Sequence, residues 1–174
     1  YDLSRRYSRS ENHDTFVQEY EQRAGITISE LTVDGLNTAK ARMKLNFRKP
    51  VDSGGDFLYI CPTIVPFIEK NPFTSQKRQL PVEFSYPYRY RMIVSLMLPE
   101  GYTVEELPKS QRLSACNEGI ACTMQLQQQG ALMQCRFEFD LSRIIFPATE
   151  YTDLSAFYGF VMDMCNSRIV LKKS

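Results

Sequence analysis

Five cysteines (Cys61, Cys116, Cys122, Cys135 and Cys165) and one histidine, His13, are the residues of this 174-residue chain with the most reactive side chains. Thiol chemistry of the hydrolase or acyl-transfer type needs a thiolate, a histidine beside it as base, and a carboxylate to orient that histidine. His13 is the sole candidate base and precedes Asp14 in a stretch that reads as a surface helix. None of the cysteines sits in a glycine-rich or helix-opening context, so the spacing predicts no catalytic residue. No CxxC occurs, and one histidine is too few for the usual zinc ligand sets, so neither a metal nor a cofactor is expected. An odd number of cysteines does not make a disulfide framework; most are expected as buried small hydrophobes. The adjacent Glu105 and Glu106 point to opposite faces of a strand, which is poor geometry for a glycosidase pair.

A second class of chemistry is recognition. Tyr86, Tyr88 and Tyr90 share parity, so on a strand they lie on one face and can form an aromatic platform for a sugar ring or a protein partner. The plainer reading is that they pack a core or cover a sheet edge. Arg89 and Arg91 take the opposite face, where their stems cover the sheet. Arg168, Lys172 and Lys173 make a basic tail, equally well read as edge lysines that discourage strand pairing.

The elements that must position these residues are mostly strands. The pivotal stretch is Gln79 to Pro108. Leu80, Val82, Phe84 and Tyr86 alternate with polar residues, which predicts a strand wet on one face, and Pro87 belongs at an edge or a bulge. From Tyr88 to Leu98 both faces carry apolar residues, which predicts a central strand, stopped by Pro99-Glu100-Gly101. Tyr102 to Leu107 follows as a short strand.

Upstream, Tyr1 to Arg9 is polar and basic without a clear period. A helix is expected from Ser10, capped by Ser10 or Asn12, with Phe16, Val17, Tyr20 and Ala24 on its apolar stripe and Gly25 past its end. Ile26 to Val33 and Ala39 to Phe47 read as a hairpin with a bulge near Ser29-Glu30, where the parity changes. Phe57 to Cys61 is a short strand; Ile64 to Ile68, with Pro66 inside it, is strand or extended segment. Downstream, Ser110 to Asn117 is loop, or a weak strand from Arg112 to Cys116. Ile120 to Leu126 and Met133 to Leu141 form a second hairpin. A loop at Gln128-Gln129 sets Cys122 opposite Cys135; a loop at Gln129-Gly130 sets it opposite Phe137 and prevents a disulfide. Glycine's tolerance of positive φ favours the second. A helix capped by Thr149 or Thr152 carries Leu154, Phe157, Tyr158, Val161, Met162 and Cys165 at spacings of three and four, and Arg168 to Lys173 closes the chain as a strand.

The totals exclude several functions. Twenty-one Lys and Arg against twenty Asp and Glu leave a net charge of +1, which is no electrostatic footprint for nucleic acid. No apolar run approaches the roughly 18 residues of a membrane helix. A hydrophobic content of 43% can fill a core. The first residue is Tyr1, so the chain is expected to be a processed form or a piece of something longer, and the lack of a signal peptide does not bear on location.

Asn71-Pro72-Phe73, Arg78 to Arg91 (RQLPVEFSYPYRYR), Leu98 to Pro108 (LPEGYTVEELP), and the close from Tyr151 (YTDLSAFY, then SRIVLKK) together resemble one family. It is the C-terminal domain of unknown function in bacterial transglutaminase-like proteins. The resemblance runs over residues 26–174. It implies a mainly β, antiparallel two-sheet β-sandwich with an N-terminal helix and a C-terminal helix followed by a last strand. It implies residues 1–25 as a helical linker from an upstream domain and 26–174 as the sandwich. It also implies export to the periplasm or cell surface, with the upstream transglutaminase-like domain as partner, and assigns catalysis to that upstream core. The expected function is therefore a non-catalytic accessory domain. The rival is a module that binds a glycan or an envelope protein through Tyr86, Tyr88 and Tyr90 with Arg89 and Arg91.

Overall fold

The computed structural model describes residues 2–64 and 67–174, and the side chains of residues 6–64 and 67–174. The reading of the segment around Pro66 lies outside the described residues, as does Tyr1. The chain divides into two compact units, residues 1–51 and 52–174. This boundary follows Val51, whereas the expected division of 1–25 from 26–174 fell after Gly25. The reason is local. The Ile26–Phe47 hairpin forms a two-stranded sheet of its own and is tied to the preceding helix.

In the first unit, α1 (Asp2–Arg9) and α2 (His13–Ala24) precede β1 (Thr27–Asp34) and β2 (Arg42–Arg48). Asn12 caps α2 by accepting from the Thr15 N–H at 2.9 Å, and the Gly25 N–H closes the helix on the Glu21 carbonyl at 2.8 Å. The helix expected from Ser10 is therefore present. Helix α1 was not expected, because polar residues without a period leave no stripe to read. Its Tyr7 ring packs on Phe16, centroids 5.0 Å apart. The bulge falls between Ile28 and Glu30, as the parity change predicted. There the Ile28 N–H donates to the Glu21 carboxylate at 2.5 Å.

The second unit is an antiparallel two-sheet β-sandwich. Its strands are β3 (Asp52–Gly54), β4 (Phe57–Ile60), β5 (Val82–Glu83), β6 (Tyr88–Met97), β7 (Tyr102–Glu106), β8 (Gln111–Ala115), β9 (Ile120–Gln129), β10 (Leu132–Leu141) and β11 (Ile145–Phe146). A 3-10 turn (Ala148–Glu150), α3 (Tyr151–Asn166) and β12 (Ile169–Lys173) follow. One sheet has the order β6-β10-β9-β8, the other β3-β4-β12-β7, and β5 pairs with β11. Met133, Cys135, Phe137, Phe139 and Leu141 of β10 are buried, as are Ile120, Cys122, Met124 and Leu126 of β9. Those two runs of alternate residues build one inner face. Helix α3 lies against it: the Phe139 ring meets Phe157 and Tyr158 at 6.1 and 6.0 Å.

Several expectations change. Gln79 to Tyr86 is not a long strand; Val82 and Glu83 alone pair, with Phe146 and Ile145, and Leu80 is 72% exposed. Pro81 and Pro87 bracket this stretch and donate no backbone hydrogen bond, which shortens any ladder. Strand β6 was expected at the centre of its sheet and lies at the edge, beside β10 at the end of the ladder, and the apolar residues on its second face, Ile93 and Met97, are exposed. The β9–β10 loop is Gly130-Ala131, so Cys122 faces Phe139, and both expected registers are corrected. Positive φ falls on Gly130 and not on Ala131, which is the pattern of a type II′ hairpin. Neither Thr149 nor Thr152 caps α3; Pro147 leads into the 3-10 turn, and no side chain caps the helix. Finally, Lys172 and Lys173 are not on an edge strand, since β12 runs between β4 and β7. The tail is inside its sheet because Ile169 and Leu171 are almost wholly buried.

Candidate functional site

Of the five residues expected to form a recognition surface, four lie on β6 and divide between its two faces, and Tyr86 precedes the strand. Tyr88, Tyr90 and Met92 lie opposite Leu141, Phe139 and Phe137 of β10. Tyr88 stacks on Phe139 at 5.8 Å, Tyr90 meets Phe137 at 6.2 Å, and Phe67 inserts 4.8 Å from Tyr90. Both are half-buried, and Tyr86, 41% exposed, meets Tyr88 edge-on at 6.2 Å. The structure brings the three tyrosines together but turns Tyr88 and Tyr90 toward the aromatic core.

Arg89 and Arg91 lie on the outer face, opposite Asp140 and Glu138. Arg89 Nε donates to Asp140 at 2.8 Å, and Arg91 Nε and Arg136 Nη2 donate to Glu138 at 3.0 and 3.1 Å. The hydrogen bond from Arg91, more than that from Arg136, holds the Glu138 carboxyl below its ordinary value. These charges are mutually satisfied at the surface, where each such pair contributes about 0.2–1 kcal/mol. They are not an open anion site.

A recess of about 380 Å³ lies at the other edge of this sheet, lined by Ser114, Cys116, Asn117, Glu118, Glu150 and Asp153. Its rim is the β8–β9 turn, in which Cys116, Asn117 and Glu118 all have positive φ (54°, 54° and 62°). Side chains other than glycine rarely adopt this region, at about 1–3 kcal/mol each. The turn is held from several sides. The Gly119 carbonyl accepts from the Ser142 and Arg143 N–H groups at 3.1 Å each, and the Ser142 hydroxyl donates to the Glu118 carbonyl at 3.0 Å. Gly119 itself packs so closely that a Cβ would stand 2.9 Å from Arg143 Nε and 3.0 Å from the Cys116 carbonyl. Arg143 lies over the Phe146 ring, 4.5 Å from its centre, and ion-pairs with Glu150. Sequence reading missed this turn. The signal available was Asn117 followed by Glu118-Gly119 between two alternating runs.

Glu118 accepts from Arg112 and, at 2.7 Å, from the Ser114 hydroxyl, which lowers its carboxyl to about 2. A carboxyl depressed in the folded state binds fewer protons there than in the unfolded state. Its contribution to stability is therefore complete above the ordinary value of 4.5 and is lost as pH falls through 4.5 toward about 2. Glu118→Gln should flatten the fall of the urea midpoint across that window. An acid limb as steep as that of the unaltered chain would disprove the assignment.

Burial governs four of the five thiols. Burial first, then the Glu150 carboxylate, pushes the Cys116 thiol up to about 11. Burial pushes Cys122 and Cys165 up to about 12 and Cys135 up to about 11. All five cysteines are free, and Cys61 is half-buried. His13 shares a hydrogen bond of 3.2 Å with the Tyr7 hydroxyl. Among the described residues, no group of three or more His, Cys, Asp or Glu is placed to hold a metal ion. Among the described residues, no helix is long and apolar enough to cross a membrane.

The Asn71-Pro72-Phe73 segment is a clamp on α3. The Asn71 amide donates to the Ser155 carbonyl at 2.9 Å, the Ser155 hydroxyl donates to the Phe73 carbonyl at 2.9 Å, and the Phe73 ring meets Tyr158 edge-on at 4.9 Å.

The second unit is thus, as a class, an antiparallel β-sandwich with one packed helix, whose thiols are buried apart from the half-buried Cys61. The chain belongs to the family described as a domain of unknown function with solved structure, DUF3858, whose model matches residues 56–171. In fold it is similar to a crystal structure from Parabacteroides distasonis described as a "putative protease", with a TM-score of 0.55 and 14% sequence identity. That similarity covers 67% of this chain and 23% of the other, so the chain spans about a quarter of that protein's length. Comparison with curated proteins finds no match.

Proposed function

We propose that residues 52–174 act as a non-catalytic accessory β-sandwich. In this reading they lie C-terminal to a transglutaminase-like core in an exported bacterial protein of the periplasm or cell surface, and their role is domain packing. The observation that carries it is an exposed apolar row on the β6 edge. Met97 is 73% exposed, Ile93 59% and Leu132 38%; Met97 and Leu132 are directly opposite in the ladder. Beside them is a recess of about 340 Å³ lined by Leu98, Pro99, Tyr102 and Ala131. Apolar side chains grouped on a surface mark an interaction site, and the occupant this reading assigns is the upstream domain of the same chain. Three further points support it: the buried, protonated thiols, the resemblance to the transglutaminase-associated family, and the 23% of a longer chain that the similar fold occupies.

Hydrogen exchange compared between the 174-residue chain and the longer parent protein tests this. The amides of Met92 to Met97 should be at least tenfold better protected in the parent. Met97→Glu with Leu132→Glu should abolish that difference while leaving the stability of the isolated chain within about 0.5 kcal/mol, as for other surface changes. Equal protection in the two proteins would sink the reading.

A further inference from the structure

We infer that Cys61 and Cys165 are a disulfide-forming pair, with Cys61 as the thiol through which a small disulfide oxidises the domain. Strand β4 ends at Ile60, which pairs with Ile169 of β12, and this pairing sets Cys61 beside the turn that joins α3 to β12. The Cys61 sulfur donates to the Cys165 carbonyl at 3.0 Å, and the Thr63 hydroxyl donates to the same oxygen at 3.0 Å. Cys61 lies 3.3 Å from that hydroxyl. The contact with the Cys165 carbonyl sets the Cys61 sulfur against the backbone of Cys165 at the end of α3, and the two side chains are near enough for a charge on Cys61 to act on the Cys165 thiol. The two positions differ in access: Cys61 is half-buried, whereas Cys165 is 1% exposed. A reagent in solution therefore meets Cys61 first, and Cys165 then meets the product.

The chemistry balances in two exchanges. The Cys61 thiolate attacks one sulfur of a low-molecular-weight disulfide, such as oxidised glutathione. A Cys61–glutathione disulfide forms and one glutathione thiolate leaves. The Cys165 thiol then attacks the Cys61 sulfur, its proton passing to the departing glutathione sulfur. The Cys61–Cys165 bond forms and the second glutathione leaves as a thiol. Two protein thiols are oxidised and one glutathione disulfide is reduced to two thiols. The link would close a sequence separation of 104 residues and tie the end of α3 to β4. A cross-link of this span restricts the unfolded chain and raises the unfolding midpoint.

The experiment treats the reduced chain with oxidised glutathione at pH about 8, the range in which ordinary thiols begin to ionise. Peptides are mapped by mass spectrometry, and the urea midpoint is measured before and after. Three of five thiols should remain, with a Cys61–Cys165 peptide pair, no retained glutathione and a higher midpoint. Cys165→Ala should hold one glutathione on Cys61. Cys61→Ser should keep its other four thiols reduced, and because this site is less buried it remains usable if the Cys165 variant folds poorly. Glutathione retained on Cys61 of the unaltered chain, a Cys61–Cys135 pair, or five surviving thiols would each overturn the inference. The outcome is independent of whether the β6 edge docks another domain.

Discussion

Phe139→Ala should lower the unfolding free energy by about 4 kcal/mol, the size expected for removing a fully buried phenylalanine from a packed core. The Phe139 ring is 0% exposed, and its neighbours come from three parts of the chain. Phe67 approaches to 4.5 Å, Tyr88 stacks at 5.8 Å, and Tyr158 and Phe157 meet it at 6.0 and 6.1 Å. Truncation leaves a void bordered by rings held on a strand, a helix and a segment between strands. Those elements cannot all move inward together, so the cavity term remains. Urea denaturation measures the change. Phe160→Ala is the control: this ring sits on the same helix, is 59% exposed, and should shift stability by no more than about 0.5 kcal/mol. Similar losses in the two variants would mean that α3 does not face β10 as described.

The second large effect is on thiol reactivity. In the folded chain at pH about 8, iodoacetamide should label Cys116, Cys122, Cys135 and Cys165 at least ~100-fold more slowly than in urea, because the thiolate is the reacting form. Burial raises these thiols from 9.0 to about 11 or 12, which removes nearly all thiolate and also blocks approach. Cys61, half-buried, should be labelled first. Peptide mapping over time resolves the five sites. Fast labelling of Cys116 in the folded chain would point to a reactive thiol in the recess beside Glu150, and the non-catalytic reading would have to be given up.

The outer face of β6 shows how little a row of charges says by itself. Arg89 and Arg91 could be read as anion ligands until the ladder sets Asp140 and Glu138 across from them. The same ladder sets Met97 against Leu132, producing an apolar end and a charged end on one sheet face. The edge strand is therefore divided along its length. Charged side chains along an edge discourage pairing with stray strands, and here they cover only one half of it.

Alternation and helical spacing were enough to locate β2, β9, β10, α2, α3 and β12, because each buries a single face and a period of two or of three to four records that directly. The burial of Cys122, Cys135 and Cys165 was legible for the same reason, since they occupy core positions of those periods. What alternation cannot report is what lies beside a strand. The apolar second face of β6 suggested a covered central strand, and the contacts left it bare; the basic close at Lys172 and Lys173 suggested an edge, and β4 and β7 enclosed it. The β9–β10 register depended on a shift of one residue in a turn, and the left-handed run at Cys116 to Glu118 on anchors from Ser142 and Arg143 far along the chain. Neighbours, registers and anchors are made between segments distant in sequence, so only the tertiary structure could decide them.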